Sequence, residues 1–304
     1  MSGKQDILEG GCRVKKKNCG QIVLNSIFIF FTFCYILPLA VLVASAFTKE
    51  LALAQYGYNF WPSEFSLDAF KIAFRNPMSI VKSYIVTITV SAVSTITFVI
   101  MTSLLAYPMS RLNYRWHKQL NFMVLFTMLF KPGMVPTYLL LVKGLGVDNS
   151  IWALILPGII NAYYVMVVRT SYSSLPNELI EAAKIDGASE FKICFGIMIP
   201  LSKASIASVA FLFFVERWND WERSMIYIKN PDLYMLQYLL QKILREAEAI
   251  KGMADPNMFI NPVDVPAETL RFAMALIAAG PVLIIFPFFQ KYFTKGITIG
   301  GVKG

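Results

Sequence analysis

Charge is scarce in this chain. Only 15% of its 304 residues are Asp, Glu, Lys or Arg, against 56% hydrophobic ones. Soluble domains carry roughly 25% charged residues, and a chain of this length cannot wrap so much apolar surface into one core. A cytosolic enzyme, a secreted scaffold and a nucleic-acid binder are excluded. Histidine is scarcer still. His117 stands alone, which leaves no material for a Cys/His zinc site or a His-Glu-x-x-His helix. The four cysteines, Cys12, Cys19, Cys34 and Cys194, fall in an apolar run or in segments expected inside the cell, so no disulfide framework is expected. No hydrophilic stretch is long enough to fold around a nucleotide. The nearest approach to a phosphate-binding loop, Gly296 to Gly301, runs on into Val302-Lys303-Gly304 and lacks the preceding strand and following helix such a loop needs. Neither catalysis, cofactor nor metal is expected in this chain itself.

Long apolar runs are what the sequence has. Six of them, at about 21–47, 79–107, 119–142, 150–172, 200–222 and 271–290, reach the ~20 residues that a helix needs to cross a bilayer core. The expected fold is an all-α membrane protein with six transmembrane helices. The first run follows Lys15, Lys16 and Lys17 and ends at Ala44-Ser45-Ala46, the outline of a secretory leader. It is about twice the usual length of a leader's apolar core, so it is expected to stay as a transmembrane helix. Lys and Arg set the orientation. With the N-terminus inside, segments 1–20, 108–118, 169–203 and 291–304 hold 15 basic residues, and the outer segments 48–78, 143–149 and 216–271 hold 11. The longest outer segment counts for little, because long loops obey the positive-inside rule poorly. Both termini are therefore expected in the cytoplasm, as tails 1–20 and 291–304 flanking a membrane body 21–290. The net charge of +9 belongs to inner loops rather than to a nucleic-acid surface.

Two outer segments have helical character. Ser66-Leu67-Asp68-Ala69-Phe70 reads as a capped helix start. Within the outer loop 223–270, Leu236, Leu239, Leu240, Ile243 and Leu244 share one helical face. That face suits an interfacial helix, a docking surface for an external partner, or a helix packed on neighbouring loops.

The informative stretch is cytoplasmic, Ser174-Leu175-Pro176-Asn177-Glu178-Leu179-Ile180-Glu181-Ala182-Ala183-Lys184-Ile185-Asp186-Gly187-Ala188-Ser189-Glu190-Phe191. Pro176 suits a first helical turn, Glu178 and Glu181 sit near the positive end of the dipole, and Gly187 can stop the helix at positive φ. Leu179, Ala182, Ala183 and Asp186 are read as one shallow face that another backbone can approach. The segment 174–190 is expected to be a short, rigid docking peg between two spans. Glu181-Ala182-Ala183, three residues, Gly187, nine residues, then Ile197-Met198-Ile199-Pro200 resembles the EAA loop of binding-protein-dependent ABC importer permeases, with Ile199 where Leu is usual. Leu139 to Gly146, Asn149 to Gly158, Trp218-Asn219-Asp220-Trp221 and the ending Gln290 to Gly304 resemble the carbohydrate-uptake branch in order and spacing. The likeness spans nearly the whole chain. It is nearest to the maltose (MalG-like) type and to the multiple-sugar and complex-oligosaccharide systems of Gram-positive bacteria.

The resemblance implies a type I ABC importer permease fold in a bacterial cell membrane. It implies a second, homologous permease subunit, two copies of an ABC ATPase that use ATP and Mg, an extracellular solute-binding lipoprotein and a carbohydrate cargo. Glu181, Ala182, Ala183, Asp186, Gly187 and Leu179 would couple to the ATPase. A non-sugar cargo keeps the same machinery; a self-contained secondary transporter is the rival class, and no inverted repeat speaks for it.

Polar residues at membrane depth are costly and mark pathways. Lys131 stands mid-run in Phe130-Lys131-Pro132-Gly133, either favouring an anionic sugar or snorkelling to the interface. Glu216, Asn219, Asp220 and Arg223 form a stripe on a helix continued from the fifth run. Trp218 and Trp221 suit either sugar rings or an interfacial belt, and Asn161, Tyr163 and Tyr164 pose the same choice in the fourth run.

Overall fold

The computed structural model describes the backbone of residues 14–130, 132–253 and 266–300, and side chains over 20–130, 132–252 and 266–290. Lys131, most of both expected tails, the side chains of Cys12 and Cys19 and residues 254–265 of the outer loop lie outside the described residues. The described elements are helical. In order they are α1 (Val14–Ala46), α2 (Glu50–Tyr56), α3 (Asp68–Ala73), α4 (Pro77–Ser110), α5 (His117–Leu129), α6 (Met134–Leu139) running into a π turn (Leu140–Gly144), α7 (Ile151–Ile155), α8 (Ala162–Ser173) and α9 (Glu178–Ile185). Then come α10 (Glu190–Ile193), a second π turn (Cys194–Met198), α11 (Ile199–Leu201), α12 (Lys203–Trp218), α13 (Glu222–Tyr227), α14 (Leu236–Met253) and α15 (Ala267–Gly300).

Three stretches are unbroken and apolar enough to cross a membrane: Gly20–Ala46, Pro77–Ser110 and Ala267–Gln290. Among the described residues two more qualify only as bent pairs, each a broken span or a re-entrant loop. These are His117–Leu129 with Met134–Gly144, at 112°, and Glu190–Leu201 with Lys203–Trp218, at 84°. The expected fourth span, 150–172, is split: α7 stops at Ile155 and α8 begins at Ala162. Pro157 lacks an amide hydrogen for a helix ladder, and Gly158 turns to φ +69°, a region other residues avoid.

The chain divides into two units, residues 1–73 with 247–276, and 74–246 with 277–304. In the second unit α4 is the axis. Its buried Ser83, Ser91, Ser94, Thr102 and Ser103 are small enough for α8 and α12 to pack closely, as small residues do between membrane helices. Phe98 of α4 stacks on Phe213 of α12 at 4.0 Å between centroids, and the same core takes in Tyr172, Ile180, Ile193 and Met198. A second core joins Val86 and Val90 to Leu154, Tyr227 and Met235. Leu236 and Leu240 are buried, so the apolar face of α14 packs inside the protein there. Of the three readings left open for it, this is the packed one. The Leu236 N–H donates to the Thr87 hydroxyl at 2.8 Å.

In the first unit, Glu50 at the start of α2 reaches the N-terminus of α15. Its carboxylate accepts from the Thr269 N–H (2.9 Å), the Thr269 hydroxyl (3.0 Å) and the Glu268 N–H (3.1 Å), and pairs with Lys251 at 3.0 Å. The free N–H groups of a helix start are an anion site, and here a distant carboxylate fills it. Burial pushes the Glu50 carboxyl up, but the Thr269 N–H, Lys251 and the Glu268 N–H outweigh it and hold the group below its ordinary value.

Candidate functional site

The peg expected at 174–190 is built around α9. Helix α9 starts later than expected, at Glu178 with Asn177 as its cap, so Pro176 precedes the helix rather than opening it. Glu178 and Glu181 do lie in its first turn. At its end the Ala188 N–H donates to Ala183 O (2.9 Å) and the Gly187 N–H to Lys184 O (3.0 Å). With Gly187 at φ +75°, this is a Schellman stop. The faces differ from the expected ones. Ile180 is buried and Ala183 packs against the core, because they lie three apart and face α4 and α8. The outward face is Leu179, Ala182, Ile185 and Asp186. Ile185, 86% exposed, is the most prominent apolar residue of the peg, and the expected face did not include it.

A latch fixes the peg. Glu190, first in α10 behind the Ser189 cap, pairs with Lys184 of α9 at 2.7 Å and accepts from the Tyr107 hydroxyl of α4. Arg111, just past α4, donates to the Asn177 side chain at 3.2 Å. The peg is therefore bolted to the end of α4, the helix at the centre of the second unit. A displacement of α9 must pass to α4, since packed elements shift as bodies rather than deform.

A polar pocket of about 470 Å³ lies where three chain breaks meet. Met134 and Thr137 come from α6, Pro157 and Gly158 from the split between α7 and α8, and Glu216, Asn219, Asp220, Trp221 and Arg223 from the end of α12 and the turn into α13. Irregular backbone at membrane depth is tolerated where it lines a cavity. The anchor is Arg217, 1% exposed. It donates to Pro157 O at 2.7 Å, lies over the Phe213 ring at 4.6 Å and has Asp220 at 4.0 Å. Arg223 pairs closely with the same Asp220. A Cβ on Gly158 would stand 3.2 Å from Arg217 Nη2 and 3.4 Å from Arg223 Nη2, so both guanidinium groups converge on the one residue without a side chain.

The structure sorts the expected pathway residues. Asn219 and Trp221 line this pocket. Trp218 does not: it is fully buried and its Nε1 donates to Ala278 O at 3.0 Å. Tyr164 packs edge-on to Phe98 and Phe213 in the core. Asn161 caps α8 by accepting from the Tyr163 N–H at 3.0 Å, and Tyr163 is 58% exposed. Lys131 lies outside the described residues. The 216–223 stripe is not one continuous helix, since α12 stops at Trp218 and α13 starts at Glu222. Arg217 and Gly158 were missed; the signal available was a Pro-Gly pair within an apolar run.

Among the described residues no group of His, Cys, Asp and Glu is arranged to hold a metal ion. A helical body of broken spans, carrying a capped peg at one end and a polar pocket at its breaks, defines a membrane transport component. The profile of the family described as "Binding-protein-dependent transport system inner membrane component" matches residues 83–299, and the chain belongs to that family. It is 38% identical over 271 residues to Protein LplC of Bacillus subtilis (strain 168), covering 88% of this chain and 90% of that one. It is 33% identical over 289 residues to the polygalacturonan/rhamnogalacturonan transport system permease protein YtcP of the same organism, covering 95% and 100%. Its fold is similar, with a TM-score of 0.72 and 24% identity, to a chain of a bacterial ABC transporter involved in the import of the acidic polysaccharide alginate, covering 91% and 98%.

Proposed function

We propose that this chain is one permease subunit of an ATP-driven, binding-protein-dependent importer for oligosaccharides. It crosses the cell membrane six times with both termini in the cytoplasm. Helix α9 seats in a groove on a separate ATPase subunit, which supplies ATP and Mg chemistry, and a second, similar permease completes the pathway. An extracellular solute-binding lipoprotein delivers the cargo, and the pocket around Asn219 and Trp221 forms part of its route. The relatives from Bacillus support a Gram-positive source, and the sugar systems named among them support a carbohydrate cargo.

One observation carries the reading: an outward apolar face, Leu179, Ala182 and Ile185, on a helix stopped at both ends and latched to the central span. An unlatched surface helix would transmit nothing, and a buried one would touch no partner. The test is a mild-detergent pull-down of the tagged chain followed by mass spectrometry. A second permease and an ATPase are expected with the parent chain. Ile185→Glu is expected to lose the ATPase and keep the second permease, because a charge on a desolvated contact costs several-fold or more in binding. A stable homo-oligomer without ATPase would overturn the reading.

A further inference from the structure

A wide cavity behind the peg is unused by the function above. It encloses about 800 Å³ between the end of α4 with its following turn, the end of α8, and α9 with α10. Its charged lining is Arg111, Arg169, Lys184, Glu181 and Glu190. Glu190 is taken up by Lys184 and Tyr107, and Glu181 is exposed. The two arginines are different. Neither Arg111 nor Arg169 has an ion-pair partner among the described residues. Arg111 spends its guanidinium on Asn177 and the Tyr172 carbonyl and leaves a buried Nε without a partner. Arg169 donates through Nε to Met109 O at 3.2 Å. The nearest acid to Arg111, Glu190, is already shared by Lys184 and Tyr107, and Arg169 has no carboxylate partner among the described residues, so the cavity has basic groups to spare for a further anion.

Depth and lining say which anion. Helix α4 has 34 residues, so at ~1.5 Å per residue it is longer than a bilayer core of ~30 Å and extends beyond the hydrocarbon. Leu104 and Pro108 line the cavity on the membrane side of Arg111, and Leu112, Tyr114 and Phe191 form an exposed apolar rim. An acidic side chain from a protein would satisfy the arginines and leave those apolar walls wet. A phospholipid satisfies both, and basic pockets between spans are known homes for anionic headgroups. We propose that this cavity binds an anionic phospholipid. Arg111 and Arg169 hold its phosphodiester, and Leu104, Pro108 and Phe191 cover the glycerol and upper acyl chains. The site rests on the reading that α4 crosses the bilayer, and it lies on the inner side of α9, away from the Leu179, Ala182 and Ile185 face assigned to the ATPase.

The test reconstitutes the full chain in nanodiscs of phosphatidylcholine containing phosphatidylglycerol, then counts retained lipid by native mass spectrometry. Phosphatidylglycerol is expected to stay with the parent chain. The pair Arg111→Gln and Arg169→Gln is expected to retain it about tenfold less or worse, the order expected for losing charge-assisted contacts, with phosphatidylcholine unchanged. The pair Arg111→Lys and Arg169→Lys keeps the charge and is expected to keep most of the lipid. Equal retention by the parent and the Gln pair overturns the proposal. So does an equal loss in the Lys pair, which would make the arginines mere fold supports. Binding of inorganic phosphate in pure phosphatidylcholine nanodiscs, undisturbed by added phosphatidylglycerol, would make this a free-anion site instead. Loss of the co-purifying ATPase with lipid retention intact would assign the arginines to the ATPase and end the lipid reading.

Discussion

Gly158 carries more of the pocket than any polar residue in it. Its φ of +69° costs another residue about 1–2 kcal/mol, and a Cβ there would press on the Arg217 guanidinium at 3.2 Å and touch that of Arg223 at 3.4 Å. Arg217 cannot retreat, since it is buried against Phe213 and bonded to Pro157 O. Gly158→Ala therefore strains the backbone of the chain break and pushes the Arg217 guanidinium off its place. The expected outcome is normal membrane insertion with cargo uptake reduced tenfold or more (on the order of 1–3 kcal/mol for displaced buried polar contacts), read as uptake in vesicles against the amount of inserted chain. A glycine in an apolar run looks idle in a sequence. Its demand shows only when residues 60 positions apart, such as Pro157 and Arg217, meet.

At the scale of elements, the latch makes a sharper statement than the peg alone. Tyr107, Lys184 and Glu190 belong to α4, α9 and α10 and converge on one carboxylate. If that carboxylate transmits motion, Glu190→Gln lowers cargo moved per ATP hydrolysed by several-fold without changing how much ATPase co-purifies. Tyr107→Phe does the same, and the double variant is no worse than Glu190→Gln alone, because both remove one shared contact. Additive losses would show independent roles. Much of this was legible beforehand. Glu178, Glu181 and Gly187 fix the two ends of α9 through local chemistry that needs no tertiary information, and the apolar runs mark where lipid must be. Of the expected docking face, Leu179, Ala182 and Asp186 are exposed and Ala183 turns to the core, because a helix eight residues long has too few positions for its buried side to be told from its exposed side without the neighbouring core. Pro132 and Pro136 already signalled a disrupted ladder in the 119–142 run, whereas the break in the 150–172 run escaped. Hydropathy counts apolar residues and is blind to whether the backbone between them turns.

At the scale of the whole molecule, the first unit depends on an acid at one end of the sequence meeting amides at the other. Because the Glu50 carboxyl is held below its ordinary value, its contribution is fully present above the ordinary carboxylate range. It is lost as pH falls through the lowered folded-state value, when the protonated acid can no longer face Lys251 and the α15 amides in full strength. Hydrogen exchange at Thr269 is expected to be slow near neutrality and to accelerate on acidification beyond the intrinsic pH trend. Glu50→Gln should remove that extra pH dependence and destabilise the unit by about 1–3 kcal/mol. Parallel exchange profiles in the parent and Glu50→Gln chains would argue against the role.

The Glu50 contact also dictates an order of events. Its partner Thr269 lies 219 residues further along the chain, so a growing chain carries that carboxylate through most of its synthesis with no amide to receive it. The first helices are made early, and the unit they share with residues 247–276 is the last to close. A chain that stops before residue 267 carries at the start of α2 an acid whose α15 amides were never made.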